Sequence, residues 1–281
     1  MSERHPGAEP GGGRARRLVL VGCGKMGTAM LRGWIAAGVA SRCVVVEPAG
    51  MPAVSGSVPE LLWCPSPDEL PMEPRPDAVV FAVKPQIADD VVPKYRRWAD
   101  SETLFASIIA GKTLAGLARH LGRAAIVRTM PNTPAAIGRG ITIACANPLV
   151  TIEQRELCDR LLAAIGESAW VEDEALMDAV TAVSGSGPAY VFLLIEALAR
   201  AGQCEGLPAD LALRLARLTV AGSGELARIS EESPAQLREN VTSPGGTTRA
   251  ALDVLMAEEG LEPLIGRAVA AAAARSRELA S

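Results

Sequence analysis

The sequence predicts an α/β domain built on a parallel sheet and followed by an all-α domain, on three observations. Short, wholly apolar runs alternate with helical patterns in the first half of the chain, such runs cease after Val171, and a glycine-rich turn, Gly22–Gly27, stands where the first strand pattern gives way to a helical one. The apolar runs are Leu18–Val21, Cys43–Val46, Ala78–Val83, Leu104–Ile109, Ala124–Val127 and Ile141–Ala146. Strands apolar on both faces are those covered by helices on both sides, as in a parallel sheet. Beyond Val171 the chain is rich in Ala, Leu, Glu and Arg at helical period, over Ala189–Ala201, Ala209–Ile229, Arg249–Glu258 and Leu261–Leu279. Pro188, Pro208 and Pro234 stand where helices open, and Ser186 offers a capping hydroxyl to the first of them. The expected domains are therefore 18–172 and 173–281. A Gly-, Pro- and charge-rich segment, 1–17, precedes them; it lacks the apolar stretch of a secretory signal and reads as a flexible tail. Ala-rich faces such as Ala268–Ala274, in a half with few aromatic residues, suggest a surface completed by a second subunit.

Composition excludes several classes of function. The net charge is −4, with 28 cations spread along the chain, so the concentrated basic patch of a nucleic-acid-binding protein is missing. The longest uninterrupted apolar run, Ala189–Ile195, stops at Glu196, short of the roughly 20 residues that cross a bilayer, so no membrane span is expected. Only His5 and His120 are available, which leaves little material for a histidine-based triad or zinc site, and no metal is expected. The cysteines, Cys23, Cys43, Cys64, Cys145, Cys158 and Cys204, show no C-x-x-C spacing and read as reduced, mostly buried thiols of a cytoplasmic protein. All lysines, Lys25, Lys84, Lys94 and Lys112, lie in the first half, so the helical half offers no lysine as acid, base or nucleophile.

The sequence Gly22-Cys23-Gly24-Lys25-Met26-Gly27 has the G-x-G-x-x-G spacing of a Rossmann dinucleotide cradle. The first glycine permits a tight turn, the second lets a pyrophosphate approach the backbone, and the third lets helix pack on strand. An ordinary glycine turn matches the same spacing, but this one ends a strand and opens a helix. Glu47 ends the next strand, 20 residues beyond Gly27. A carboxylate there accepts from an adenosine ribose and repels a 2′-phosphate, which favours NADH over NADPH; the alternative is a solvated residue at the head of a loop. Two further loops, Ala82-Val83-Lys84-Pro85 and the turn at Ala110, follow strands where open α/β sheets bind ligands. Lys84 is as readily a surface cation.

In the helical half, Asn240-Val241-Thr242-Ser243-Pro244-Gly245-Gly246-Thr247-Thr248 runs straight into a helix. Hydroxyls and glycines at a helix N-terminus, with its free amides and favourable dipole, make a hole for a small carboxylate. A helix cap explains one hydroxyl, and this loop carries four. Ser184–Tyr190 also opens a helix, either as a wall of the same pocket or as close helix packing.

Over about Leu18 to Leu279 the chain resembles the pyrroline-5-carboxylate reductases, through GCGKMG (Gly22–Gly27), AVKPQ (Ala82–Gln86), VRTMPNTPAAIGRGIT (Val127–Thr142), AVSGSGPAYVF (Ala182–Phe192) and LRENVTSPGGTTRAAL (Leu237–Leu252). The resemblance implies a Rossmann domain with a helical dimerisation domain, a substrate site completed by the partner subunit, and often a ring of dimers. It implies that NAD(P)H reduces the C=N bond of 1-pyrroline-5-carboxylate to L-proline, the last step of proline biosynthesis. It also implies that Ser243 and the backbone of Gly246 and Thr247 hold the substrate carboxylate, that the Thr248 hydroxyl meets the ring nitrogen, and that Asn240 helps seat the nicotinamide; Ser186 is a candidate substrate contact only through the pocket-wall reading of Ser184–Tyr190. Many members of the family carry Asn where Lys25 stands, and many that prefer NADPH carry a phosphate-tolerant residue near the place of Glu47.

Two other enzyme classes share parts of this layout. A β-hydroxyacid dehydrogenase uses a lysine in its helical domain and this chain has none there; a short-chain dehydrogenase needs Tyr-x-x-x-Lys, which neither Tyr95 nor Tyr190 begins. A redox-sensing Rossmann protein would bind the dinucleotide without turnover, and would have no use for the Thr247-Thr248 pocket.

Overall fold

The computed structural model describes residues 16–50, 54, 60–70, 72–100 and 102–280. Contacts between Cα atoms divide the chain into one unit ending at Glu174 and a second running from Ala175 to Leu279.

The first unit is an eight-stranded sheet: β1 (Arg17–Val21), β2 (Arg42–Val46), β3 (Glu60–Cys64), β4 (Ala78–Phe81), β5 (Leu104–Ser107), β6 (Ala125–Met130), β7 (Gly140–Ala146) and β8 (Gly166–Trp170), in the order β3-β2-β1-β4-β5-β6-β7-β8. The apolar runs fall on its central strands, with β1, β4 and β5 buried almost throughout. The first strand begins one residue earlier than expected, since Arg17 already pairs with Arg42 and the Arg16 carbonyl accepts from the amides of Ser41 and Arg42; residues 1–15 of the expected tail lie outside the described residues. Four helices flank the sheet, α1 (Lys25–Ala37), α2 (Ala88–Val91), α3 (Leu114–Leu121) and α4 (Ile152–Ala163). One core on α1 and α4 contains Leu20, Leu31 and Leu161; the other contains Phe81, Tyr95 and Trp98. The Trp34 indole, in α1, donates to the carbonyl of Leu161 at 2.9 Å and joins the two helices of the first core.

The sheet departs from an all-parallel one at a single pairing, where β7 runs antiparallel to β6. The reason is the connection: a 3₁₀ turn, Thr133–Ile137, joins them, with no crossover helix to bring the chain back. The last strand, β8, is parallel to β7.

The second unit is helical throughout: α5 (Met177–Val180), α6 (Gly187–Cys204), α7 (Ala209–Ile229), α8 (Pro234–Asn240), α9 (Thr247–Leu255) and α10 (Leu261–Ala280). Pro188, Pro208 and Pro234 stand at the openings of α6, α7 and α8. Ser186 is not the expected cap. A π-helical turn, Thr181–Gly185, runs directly into α6, the Ser186 backbone is already helical, and its amide donates to the carbonyl of Thr181. A helix continued from its N-terminal side has no free amide for a hydroxyl to cap.

Large apolar side chains cover the outside of this unit, Phe192 at 58% exposure and Leu218 at 63% among them. The expectation of no stretch long and apolar enough to cross a membrane is corrected by length and composition: the helical run Glu174–Cys204 contains a window of mean hydropathy 1.4, of which 11% is buried. A lone Glu196 among Ala, Leu, Val and Phe does not lower that mean enough to end the run.

Candidate functional site

Sheet register sets the geometry at the first loop. Val21 pairs with Val46 on one side and Phe81 on the other, so Gly22, Glu47 and Ala82 leave the sheet at one level. Gly22 turns the chain with φ +86°, and a side chain there would strike the Ala82 carbonyl. A Cβ on Gly24 would meet nothing within 4 Å, so the backbone is open to a ligand, whereas one on Gly27 would lie 2.4 Å from the Gly22 carbonyl oxygen. These are the separate demands of a phosphate cradle: turn, open approach and close packing. Among the described residues, the amides of Gly24, Lys25, Met26 and Gly27 find no acceptor. The exposed Lys25 is the first residue of α1, with Met26 half-buried behind it.

The amide of Cys23 is engaged: it donates to Glu47 Oε2 at 2.7 Å, and that of Ala49 donates to Oε1 at 3.1 Å. Glu47 is therefore fixed beside the glycine loop, while its own carbonyl accepts from the Trp63 indole at 2.8 Å. Burial pushes the Cys23 thiol up, an effect that its hydrogen bond to Thr28 opposes, so the loop carries a protonated thiol and no nucleophile.

A cleft of about 430 Å³ opens at this end of the sheet. Of the expected residues, Gly22, Gly24, Glu47, Ala82, Val83 and Lys84 line it. Lys25, Met26, Gly27, Pro85 and Ala110 are outside its lining; Pro85 starts a 3₁₀ turn and Ala110 is exposed after β5. Sequence reasoning missed two walls, Pro65-Ser66-Pro67 and the face Ile87, Val91 and Tyr95. The first follows β3, whose run Leu61–Cys64 before a Pro-Ser-Pro turn was the available signal. A larger polar cleft of about 690 Å³, lined by Arg17, Arg75, Asp77 and Gln154 among others, lies at the N-terminal ends of the strands and contains none of the expected residues. Open α/β sheets bind at the opposite end, which favours the smaller cleft.

The second loop is described within the helical unit. Ser243–Gly246 is a tight turn in which the Gly246 amide donates to the Ser243 carbonyl at 3.1 Å and Gly245 takes φ +68°. Gly246 stands immediately before α9, and no side chain caps that helix. The amides of Thr247, Thr248 and Arg249 have no acceptor among the described residues; the first backbone bond is Ala250 to Gly246. Of the four hydroxyls, Thr242 is tied to the Arg238 carbonyl at 2.6 Å. Those of Ser243, Thr247 and Thr248 make no hydrogen bond among the described residues. A carboxylate fits this combination, because free amides at the positive end of a helix and free hydroxyls all donate.

Asn240, the last residue of α8, exchanges hydrogen bonds with Glu232 and Gln236. Ser186 lies at the start of α6, and no described hydrogen bond joins it to the second loop.

A family model described as NADP oxidoreductase, coenzyme F420-dependent, matches residues 17–111, and one described as pyrroline-5-carboxylate reductase dimerisation matches residues 174–279. The chain is 39% identical to the pyrroline-5-carboxylate reductase of Pseudomonas aeruginosa over 265 residues, 94% of this chain and 97% of that one. It is 44% identical to that of Pisum sativum over 203 residues, 72% and 74% of the two chains. A solved pyrroline-5-carboxylate reductase from Coxiella burnetii superposes with TM-score 0.85 at 32% identity, covering 95% of this chain and all of the other. A Plasmodium falciparum pyrroline carboxylate reductase with NADP bound gives TM-score 0.79 at 32% identity, over 95% and 98% of the two chains.

Proposed function

The chain belongs to the pyrroline-5-carboxylate reductase family and reduces 1-pyrroline-5-carboxylate to L-proline with NAD(P)H, and from that premise we propose how its own residues divide the work. The reduced nicotinamide supplies the hydride. Gly22, Gly24 and Gly27, with the free amides of Gly24 to Met26, hold the diphosphate. Ala82, Val83, Lys84, Pro85 and Ala110 follow the dinucleotide toward its nicotinamide end, and Asn240 helps seat that ring. Ser243 and the backbone of Gly246 and Thr247 hold the substrate carboxylate, with Ser186 beside the ring and the Thr248 hydroxyl at the imine nitrogen. The observation that carries this reading is the uncapped start of α9 with its unpaired hydroxyls.

A cyclic imine takes up a proton readily, and the resulting iminium accepts hydride without a strong protein acid. The protein's task is orientation, which supplies up to about 7–11 kcal/mol in model systems. Thr248 donates to or accepts from the nitrogen as its protonation changes.

NADH is the preferred cofactor on this reading. The Cys23 and Ala49 amides fix the Glu47 carboxylate at the cleft, where it accepts from a ribose hydroxyl and repels a 2′-phosphate. The homo-oligomer has a dimer as its unit and closes as a ring of dimers. The reaction takes place in the cytoplasm, where free thiols such as the six described here persist.

The test is the fall in reduced-nicotinamide absorbance with 1-pyrroline-5-carboxylate, run separately with each cofactor. The expected result is a higher kcat/KM for NADH. A clear preference for NADPH would remove the role given to Glu47.

A further inference from the structure

The buried face of the dinucleotide cleft contains a polar atom, the Tyr95 hydroxyl, that no described residue uses. Tyr95 follows Ile87 and Val91 at spacings of four and eight, so all three fall on one side of the run after β4, and all three line the cleft. Its ring is held edge-on to Phe81 at 5.3 Å between centroids and tilted against Trp98 at 6.1 Å. The residue is 0% exposed, and its hydroxyl has no hydrogen-bond partner among the described residues. Leaving a buried hydroxyl unpaired forfeits the hydrogen bonds it makes to water, and Phe would fill the same space without that cost. Burial pushes the phenol well above its ordinary range, so it stays a neutral O–H that can both donate and accept.

We infer that Tyr95 is a specificity-determining residue for the cofactor, its hydroxyl pairing with the polar edge of the adenine ring while Ile87 and Val91 pack on the ring face. This rests on the dinucleotide reading of the cleft. An adenine edge offers ring-nitrogen acceptors and an amino donor, which matches a hydroxyl able to play either part, and the ring faces are apolar enough for Ile87 and Val91. The hydroxyl is closed to water in the fold described, so the base must open the wall over it on binding.

The test is Tyr95→Phe, read by calorimetric titration of the full-length protein with NADH, ADP-ribose and reduced nicotinamide mononucleotide, alongside its Tm. The expected result is a Kd raised about fivefold for NADH and ADP-ribose, in the range of one lost hydrogen bond, with the mononucleotide unchanged. Unchanged NADH and ADP-ribose binding with a raised Tm would overturn the inference and leave Tyr95 an unpaired core group. Equal weakening of all three ligands would also overturn it, as a general disturbance of the fold. Failure of the unaltered protein to bind NADH or ADP-ribose would instead overturn the dinucleotide reading itself.

Discussion

The two glycine loops to which the proposed function assigns the diphosphate and the substrate carboxylate each stand at the start of a helix, and the two are supported differently. At Gly22–Gly27 the helix behind the loop is anchored in a core, with Met30, Leu31 and Trp34 buried, and backbone meets backbone where Gly27 passes Gly22. At Ser243–Thr248 the helix behind the loop has no buried residue, and the close neighbour of Gly246 is the Ser243 hydroxyl. One chain completes the first support. The second belongs to a unit that matches a dimerisation model and leaves large apolar side chains exposed, so on the proposed reading a second subunit supplies its support.

The sharpest way to break this contrast is to prevent assembly. Phe192→Asp, on the exposed face of α6, is expected to dissociate the oligomer by light scattering and to lower kcat/KM by on the order of 100-fold or more, the scale of a lost orientation. NADH affinity is expected to stay within about twofold, since the residues lining the cleft all belong to the first unit. Thr248→Ala, in steady-state kinetics, is expected to cost about 100-fold or less in kcat/KM, because threonine is a weak proton donor. A much larger loss would make Thr248 more than a positioning hydroxyl.

Matched glycine substitutions sharpen the comparison. A Cβ on Gly27 lies 2.4 Å from a backbone carbonyl, and one on Gly246 lies 2.4 Å from a hydroxyl that can rotate. Gly27→Ala is therefore expected to lower Tm and to raise the NADH Kd about tenfold or more, whereas Gly246→Ala raises the KM for the imine several-fold at nearly unchanged Tm. Glu47→Gln is expected to shift the ratio of NADH to NADPH kcat/KM by about tenfold toward NADPH. The smallest effect concerns the thiols. Burial pushes Cys43 and Cys158 up to about 12, the other cysteines of the first unit are buried, and Cys204 is exposed. A thiol reagent at pH 8 is expected to modify at most one cysteine per native chain, counted by mass spectrometry.

The sequence made the central strands legible and hid the edges. β1, β4 and β5 are covered on both faces and so appear as unbroken apolar runs. The two strands that sequence reasoning missed, β3 and β8, are the two edges of the sheet. Glu60–Cys64 is largely exposed, and Gly166–Trp170 alternates between half-buried and exposed, so neither needs a wholly apolar run. Missing β3 also hid the Pro65–Pro67 wall of the cleft. The glycines of both loops were legible because their demands are steric and local. The Glu47 tether to Cys23 was not, since it joins residues 24 apart that only the β1–β2 register brings together.

The measurement that bears most directly on the two grips is a crystal structure of the oligomer with NAD⁺ and L-proline. The account predicts the proline carboxylate against the Gly246 backbone and within hydrogen-bond distance of the Thr247 amide and the Ser243 hydroxyl, with the diphosphate on the amides of Gly24 to Met26. Proline bound away from Ser243–Thr248, or a diphosphate away from Gly22–Gly27, would contradict it.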